Sequence, residues 1–521
     1  MSTPLLPGIS GYAVRLVLLV GLALGAARPA PAQDREATFA QTADALIAEA
    51  LRRVGTVPGL AVAVVHDGRT AYARGFGSAD VEAGLPVTPD TPFYIASATK
   101  PFTALLAVLL DRDGTLALNA SLASLFADVV FDPAIEADSV TVRHLLSHTA
   151  GIDNGPIGFR AAYTGQHTPA EMRRLLAETV VEEDAPRGTF EYTNVGYNLL
   201  SLRLDELAGG PWQALLADRL FGPLGMTHTT AVASEAAAWA PAVPYAVHPE
   251  RGVERVGLVK HDDTMQAAGG MYASAADLAR WLAIHLNEGR LDGQHVLPAD
   301  VVAEAHRPLA PDAGETHGVL VRDGYALGWH TGTYDGEPML HHLGGFPGAH
   351  AHTSFLPGRD LGVVVLANES SAGGRLATLV ASFVYDAWGA DRAERDAAVE
   401  RTRRSADALR ADVAAGLDRY GQALAERAGR TWELSLPPGA YAGSYVHPDW
   451  GTMVVEANPA EGSPLAVRFG RLHDIATAFP RPETARVELI PGRGQVLQFV
   501  LDDSHVRALV WDGVTFEREA P

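Results

Sequence analysis

The chain has 521 residues, of which 47% are hydrophobic, and this length is sufficient for about three domains with substantial cores. It carries 62 acidic residues against 41 basic ones, a formal charge of −21 at pH 7, and such a surface repels nucleic acid and anionic lipid. It contains no cysteine, which excludes thiol nucleophiles, disulfides, cysteinyl metal sites and lipid attachment at a signal-peptide cysteine.

The first 32 residues have the pattern of a signal peptide. Arg15 precedes the apolar run 16–24, and Ala30-Pro31-Ala32 supplies small residues for cleavage. The apolar run is too short to span a bilayer. We therefore predict cleavage near residue 32, a secreted or periplasmic location, and no stable membrane anchor afterwards.

A β-hairpin is predicted soon after a first helix over residues 39–53. The apolar run 59–65 and the segment 70–75 are joined by turn residues at 66–68. The segments expected to complete its sheet lie far along the chain, at 325–331, 339–342, 350–355 and 361–367. Residues 97 to about 323 would then lie between the first and last strands, as helices and long loops.

Other helices are predicted within 142–151, over 275–287 with Ser274 as its cap, and over 375–388. From 391 to 430 the composition shifts to Ala, Arg, Asp and Glu, which is typical of a helical connector. Short alternating strands follow, at 439–445, 452–456, 465–469, 486–489, 495–501 and 508–511. We predict a main domain over 37–389, a helical linker over 390–433 and a small all-β domain over 434–521.

The stretch that ends in Ser97-Ala98-Thr99-Lys100 is a candidate active site. It leads into Pro101 and an apolar segment, and residues three apart in the first turn of a helix share a face, so Lys100 should lie beside the Ser97 hydroxyl. An amine whose pKa is lowered by burial can take the serine proton, and the first N–H groups of a helix can stabilise an oxyanion. Ser-x-x-Lys alone occurs often by chance, so other motifs decide its meaning.

Two further stretches offer polar groups of the right kind. They are 190–197, with Tyr192 and Asn194, and 341–348, with His342, Gly344 and Gly345. In order and residue type, the three stretches resemble the serine β-lactamase and penicillin-binding protein superfamily, most closely the class C β-lactamase branch with its D-aminopeptidase, D-Ala-D-Ala carboxypeptidase and carboxylesterase relatives. Family-typical stretches also recur at 144–151, 269–272 and 325–329.

The resemblance covers roughly residues 37–389 and implies the fold. We expect an α/β (α+β) protein with a β-lactamase/transpeptidase-like antiparallel sheet, flanking helices and a helical subdomain. The C-terminal part should be an antiparallel β-barrel, similar to the lipocalin-like modules of such homologues. The resemblance implies no cofactor, no metal, and a small-molecule or peptide acyl substrate, and the sequence does not determine an oligomeric state.

The resemblance also implies a role for each matched residue. The catalytic residues would be Ser97 as nucleophile, Lys100 and Tyr192; the substrate-binding residues would be Asn194, His342 and Gly344; and the oxyanion donors would be the backbone N–H groups of Ser97 and Gly345. A phenol can act as a base only if nearby cations stabilise its anion, which Lys100 could do, and Lys100 could itself be the base. Both alternatives stay open at this point.

His342 stands where β-lactamases usually carry a permanent cation for the substrate carboxylate. Because imidazole has a pKa near 6.5, it is largely neutral at pH 7. We therefore expect D-amino-acid peptides or carboxylic esters to be better substrates than β-lactams, with class C-like β-lactamase or D-Ala-D-Ala carboxypeptidase activity as the alternative. Selectivity should also change where His342 becomes protonated.

Two interpretations from other classes remain. A metallohydrolase would use the closely spaced His341, His342, His350 and His352, although the chain has no His-Glu-x-x-His motif. A non-catalytic sensor would be acylated at Ser97 and never deacylated.

Overall fold

The structure, a computed structural model, describes residues 32–312, 314, 316–317, 320–457, 463–503 and 505–520. The predicted signal segment lies outside the described residues except for its last residue, Ala32. No helix among the described residues combines the length and the apolar character needed to cross a membrane.

The main sheet contains ten strands among the described residues, and neighbouring strands in it are antiparallel. In spatial order they are Ala310–Pro311, Leu320–Tyr325, His330–Tyr334, Glu337–Phe346, Ala349–Leu356, Leu361–Ala367, Gly59–His66, Arg69–Asp80 and Leu85–Pro86, with Thr316–His317 paired to Leu320–Tyr325. Leu60 pairs with Ala367, so the early hairpin joins the sheet beside its last strand. This is the long-range closure that the sequence predicts.

The two central strands are apolar at nearly every position because helices cover both faces of the sheet. Leu361–Ala367 is buried throughout, and Gly59–His66 is buried except at its last residue. Helices Ala32–Val54 and Gly373–Ala387 pack on one face, and helices Lys100–Arg112 and Ala275–Leu286 lie on the other. A strand buried on both faces loses the polar alternation of a surface strand.

The region between the early hairpin and the later strands is mainly helical. Its helices are Lys100–Arg112, Leu122–Leu125, Val142–Leu146, Gly155–Phe159, Pro169–Leu175, Val195–Ala208, Trp212–Leu216, Gly222–Leu224, Ala233–Ala237, Ala275–Leu286 and Ala299–His306. Short 3₁₀ or π turns are Ala96–Thr99, Pro133–Ile135, Arg160–Thr164, Leu176–Glu178, Ala217–Phe221 and Asp262–Thr264, with Pro357–Arg359 farther on. The Ser274 hydroxyl accepts from the N–H of Asp277, which confirms the predicted cap.

Small sheets complete this region. They are Pro92–Tyr94 with Tyr272–Ser274 and Thr229–Thr230, Ile152–Asp153 with Val180–Val181, Tyr245–His248 with Gly252–Arg255, and Arg290–Leu291 with Gln294–His295. The first of these places the segment before Ser97 against the segment that follows residue 270.

One predicted strand, 325–331, is wrong. The structure has two strands, Leu320–Tyr325 and His330–Tyr334, separated by a turn. Gly328 in this turn has φ +81, and a Cβ there would lie 2.7 Å from Cα of Pro101. The turn therefore bends the chain where it must pass the start of helix Lys100–Arg112.

The predicted connector is a single helix, Arg392–Ala428. Its residues Ala398, Ala406, Leu409 and Val413 are buried in the core formed with helices Ala32–Val54 and Gly373–Ala387. The helix therefore packs against the two helices that cover one face of the main sheet. The predicted domain boundaries stay a prediction.

The C-terminal part is a nearly closed antiparallel sheet of nine described strands after the short helix Pro438–Tyr441. In spatial order they are Leu472–Ile475, Leu465–Phe469, Gly451–Ala457, Gly443–His447, Val514–Arg518, His505–Trp511, Arg493–Asp502, Thr484–Ile490 and Thr477–Ala478. The two edge strands are consecutive in the chain, and the interior has its own apolar core. Together with the main sheet, this confirms the predicted fold class.

Candidate active site

Ser97 lies in the turn Ala96–Thr99, immediately before helix Lys100–Arg112, the nucleophile helix. The N–H of Ile95 donates to the carbonyl of Met271 at 2.9 Å, which ties this turn to the neighbouring strand segment. Ala96 has φ +46, a left-handed conformation that is uncommon for a residue with a side chain. Backbone strain is thus concentrated at the residue before the candidate nucleophile.

Lys100 is fully buried and contacts three oxygen atoms. Its Nζ lies 2.8 Å from Oδ1 of Asn194, 2.8 Å from the carbonyl of Ala268 and 3.2 Å from Oγ of Ser97. Burial lowers the pKa of Lys100 well below its ordinary value of 10.5, which favours the neutral amine. A neutral amine has two N–H donors and one lone pair, so the two shorter contacts can use the donors while the lone pair faces Ser97.

Tyr192 lies above the same pair. The Lys100 Nζ is 4.8 Å from the centre of its ring, and its phenol interacts with the Ser97 side chain. The residue is 37% exposed, yet its hydroxyl end is desolvated. Burial therefore raises the pKa of the phenol above 10, although the contact with Ser97 opposes this. The phenol is accordingly a proton donor at neutral pH.

Asn194 precedes helix Val195–Ala208 and turns its amide oxygen toward Lys100. One turn later in this helix, Nδ2 of Asn198 donates to Oε1 of Gln266 at 2.8 Å. That contact ties the helix to the loop whose Ala268 carbonyl also accepts from Lys100. The lysine is therefore held between two segments that are themselves connected.

Strand Glu337–Phe346 runs past the turn that carries Ser97. A Cβ at Gly344 would lie 1.9 Å from the carbonyl oxygen of Ile95, so only glycine permits this approach. Gly345 is the next residue along the strand. The strand therefore brings both predicted glycines against the turn, and their predicted roles stay predictions.

His342 is 1% exposed and is fixed as one tautomer by its partners. Its Nδ1 donates to the carbonyl of Leu343 at 2.8 Å, and its Nε2 accepts from the hydroxyl of Tyr325 at 3.2 Å. Burial lowers the pKa of His342 well below 6.5. This ring therefore becomes protonated only at a pH well below 6.5. The predicted change in selectivity moves to the same acidic range.

A cavity of about 710 Å³ opens at this cluster. Its walls include three predicted residues, namely Ser97, Tyr192 and His342. They also include three that sequence reasoning missed, namely Asp312, Arg322 and His330. Only nearness to the family-typical stretch 325–329 could have indicated Arg322 and His330, because nothing else in the chain marks the strands on which they lie.

The histidines of the metallohydrolase alternative do not come together in one cavity, since His342 lines the cavity at Ser97. His350 and His352 line a different cavity of about 650 Å³ beside helix Gly373–Ala387. Nε2 of His352 lies 2.7 Å from Oγ of Ser354. Within the described part of the chain, no group of three or more His, Asp or Glu side chains is placed to hold a metal ion.

Comparison with known proteins identifies relatives of the whole arrangement. Unguisins hydrolase ungD of Aspergillus violaceofuscus is 28% identical over 450 residues, which are 81% of this chain and 77% of that protein. The structure of the octameric penicillin-binding protein homologue from Pyrococcus abyssi covers 91% of this chain and 99% of its own, with 21% identity and a TM-score of 0.57. D-amino acid amidase from Ochrobactrum anthropi SV3 covers 67% of this chain and 98% of its own, with 23% identity and a TM-score of 0.55.

The Beta-lactamase family model matches residues 43–384, which contain the nucleophile helix, Tyr192 and the strand with His342. This match covers more than half of the chain. It agrees with a site at which a buried lysine contacts both a serine and a tyrosine. The chain therefore belongs to the beta-lactamase family and is a serine hydrolase of the β-lactamase-like superfamily.

Proposed function

We propose that this hydrolase cleaves amide or ester bonds of small acyl donors through a covalent intermediate on Ser97. The observation that carries this proposal is the environment of Lys100, whose two short hydrogen bonds to Asn194 and Ala268 leave the third, longer contact for Ser97. A buried neutral amine beside a serine can serve as its general base. Tyr192, with a raised pKa, is better suited to donate a proton than to accept one.

In the acylation step, Lys100 takes the proton of Ser97 while Oγ forms a bond to the carbonyl carbon. The backbone N–H groups of Ser97 and Gly345 stabilise the negative oxygen of the tetrahedral intermediate. When the carbonyl re-forms, the bond to the leaving group breaks and the leaving group takes the proton of Tyr192. The ammonium of Lys100 then returns its proton to the phenolate of Tyr192, so both groups recover their starting states.

Deacylation repeats these steps with water as the nucleophile. Lys100 takes one proton of the water as its oxygen attacks the acyl carbon, and Ser97 leaves with a proton returned through the same pair of groups. The product is the free acid. Lys100 and Tyr192 act as a coupled set in both halves of the reaction.

We favour D-amino-acid amides or peptides and carboxylic esters as substrates over β-lactams. His342 is buried and neutral, so this position supplies no fixed charge for a β-lactam carboxylate. One of the similar proteins is named as a D-amino acid amidase, which supports amide substrates.

A second candidate, D-Ala-D-Ala carboxypeptidase activity, is supported by Arg322. This guanidinium lies in the wall of the cavity at Ser97, where it could attract a substrate carboxylate. Asp312 lies in the same wall and would weaken that attraction. The two candidates therefore differ in whether an anionic group on the substrate increases kcat/KM.

Export to the periplasm or the medium is also proposed. It is supported by the pattern of the first 32 residues, with Arg15 before an apolar run and small residues at the end. Expression with this segment, followed by determination of the N-terminus of the protein outside the cytoplasm, tests it. Retention of the full-length chain in the cytoplasm would contradict it.

Labelling with a fluorophosphonate probe tests the nucleophile. The wild type should be labelled once, Ser97→Ala should not be labelled, and Ser201→Ala, which removes a helix hydroxyl outside the cavity, should behave as wild type. Turnover is then measured on p-nitrophenyl esters, D-amino-acid anilides, D-Ala-D-Ala peptides and nitrocefin. Release of only one equivalent of product per chain would support the non-turnover sensor instead, and labelling of Ser97→Ala would contradict the proposed nucleophile.

A further inference from the structure

His148 lies in a strained and buried position beside the active site. It follows helix Val142–Leu146 and is 2% exposed. Its φ is +58, in the left-handed region that glycine and asparagine adopt more readily than histidine. A residue that keeps such a conformation in the interior must be held by its surroundings.

Two hydrogen bonds connect His148 to the residues on either side of Tyr192. The N–H of Glu191 donates to the carbonyl of His148 at 2.9 Å, and the N–H of Thr193 donates to its ring Nδ1 at 3.3 Å. The left-handed backbone lets the carbonyl and the ring of one residue reach the same segment. His148 thus accepts hydrogen bonds from the residue immediately before Tyr192 and from the residue immediately after it.

The ring of His148 also contacts Tyr192 directly. The two ring centres are 4.5 Å apart, and the ring of Tyr325 lies 4.7 Å from His148 on another side. Because Nδ1 accepts from a backbone N–H, the ring proton is on Nε2. This Nε2 is buried and has no hydrogen-bond partner among the described residues.

We propose that His148 is a positioning residue for Tyr192, holding the phenol at the Ser97–Lys100 pair by its two contacts with the flanking backbone. This inference rests on the proposed function, in which Tyr192 delivers a proton to the leaving group. Loss of these hydrogen bonds should slow proton transfer from Tyr192 to the leaving group more than it weakens substrate binding. The expected signature is a lower kcat with little change in KM.

Two substitutions at His148 distinguish the effect of its hydrogen bond with Thr193 from the effect of losing the packed imidazole ring. His148→Gly accepts φ +58 without strain but removes the ring acceptor, so kcat on a D-amino-acid anilide, whose amine leaving group needs a proton, should fall by roughly tenfold or more. His148→Asn also tolerates this conformation, and its Oδ1 can accept from Thr193 where Nδ1 does. The asparagine variant should therefore keep kcat within about threefold of wild type. If the glycine variant does not fold, His148→Ser replaces it, because a serine hydroxyl is too short to reach Thr193.

A control accounts for the loss of a buried imidazole in general. His285 is also buried, with its Nδ1 2.7 Å from Nε2 of His306, outside the cavity at Ser97. His285→Asn should lower the melting temperature and leave kcat unchanged. Melting curves of all variants show which comparisons concern folded protein.

The outcomes distinguish the inference from the function on which it rests. If Ser97→Ala retains esterase activity, the proposed function is wrong. If Ser97→Ala is inactive and His148→Gly or His148→Ser matches the wild-type kcat, only the positioning role is wrong. Equal losses of kcat in the asparagine and glycine variants would overturn the role of the ring acceptor, whereas rescue by asparagine supports it.

Discussion

The amide oxygen of Asn194 accepts a 2.8 Å hydrogen bond from the buried amine of Lys100. Asn194→Asp would replace a neutral acceptor by a carboxylate of the same shape. An opposite charge at this distance raises the pKa of an amine by about 1 to 3 units, so Lys100 would hold its proton to higher pH. We expect the acidic limb of the pH profile of kcat/KM to move to higher pH by a similar amount. The measurement is ester hydrolysis from pH 5 to 10.

Asn198→Asp is the matched control for this experiment. It lies in the same helix, and its side chain contacts Gln266 instead of Lys100. Its pH profile should stay close to that of wild type. Equal displacement of both profiles would show that added negative charge in the helix, and not contact with the base, is responsible.

A second prediction concerns the cost of burying Lys260. Burial lowers its pKa to about 7 from the ordinary 10.5. Between these values the unfolded state binds more protons than the folded state, so the free energy of unfolding should rise with pH by up to about 1.4 kcal/mol per pH unit from this group. Lys260→Met should lose this rise, which urea unfolding at pH 7, 8 and 9 measures. Parallel pH dependence in the two proteins would contradict the lowered pKa.

A third prediction concerns the pair of Lys100 and Tyr192. If they transfer the same protons, Lys100→Met and Tyr192→Phe should each lower kcat by about 10² to 10⁴. The double variant should be little worse than the worse single one, because residues that act as a unit are not additive. Multiplicative losses, measured on one ester at one pH, would mean that one of the two only packs.

A fourth prediction concerns the charge at residue 342. A fixed cation there should favour a substrate carboxylate, so His342→Lys should raise nitrocefin acylation relative to a neutral ester. A charge-assisted hydrogen bond of about 1.5 to 3 kcal/mol corresponds to a change of roughly tenfold to hundredfold in that ratio. Wild-type selectivity should stay constant from pH 6 to 8, because burial keeps the pKa of His342 well below 6.5.

Arg322→Gln provides the complementary measurement. It removes the guanidinium that lies in the cavity wall, so it should lower the ratio of anionic to neutral ester hydrolysis. If neither substitution changes the ratio, other parts of the cavity decide which substrates are accepted.

A fifth prediction concerns the point at which the chain can be shortened. Ending it at Gly389 removes helix Arg392–Ala428, whose Leu409 and Val413 are buried against two helices of the main domain. That protein should melt at lower temperature or aggregate. Ending it at Gly429 retains the helix and should give a folded protein that a fluorophosphonate still labels. Equal melting temperatures of the two proteins would show that the helix adds nothing to the main domain.

Local patterns were sufficient for much of the fold. The apolar run at 361–367 became the strand Leu361–Ala367, and the amphipathic run after Ser274 became Ala275–Leu286. Both patterns are dictated by burial, which the sequence records directly. The break within 325–331 left no such record, because it depends on how closely that turn passes Pro101.

The site was harder to predict from the sequence than the sheet, because much of it depends on contacts between distant segments. Ser97 and Lys100 are three residues apart, so helical spacing alone predicts their contact. The hydrogen bonds between His148 and the backbone beside Tyr192 join segments that are distant in the chain. They use a carbonyl and a ring nitrogen that no motif specifies. The same applies to Arg322, whose place in the cavity follows from the packing of strands.

The burial of lysine has a practical consequence for handling this enzyme. Only two of its 41 basic residues are lysines, Lys100 and Lys260, and both are inside the fold. Every other basic residue is an arginine, whose guanidinium is not acylated by amine-directed reagents at neutral pH and stays charged in alkali. Coupling to an activated-ester resin or cross-linker can thus proceed only through the terminal amine while the protein is intact, and a lysine-reactive dye would detect molecules whose interior has opened.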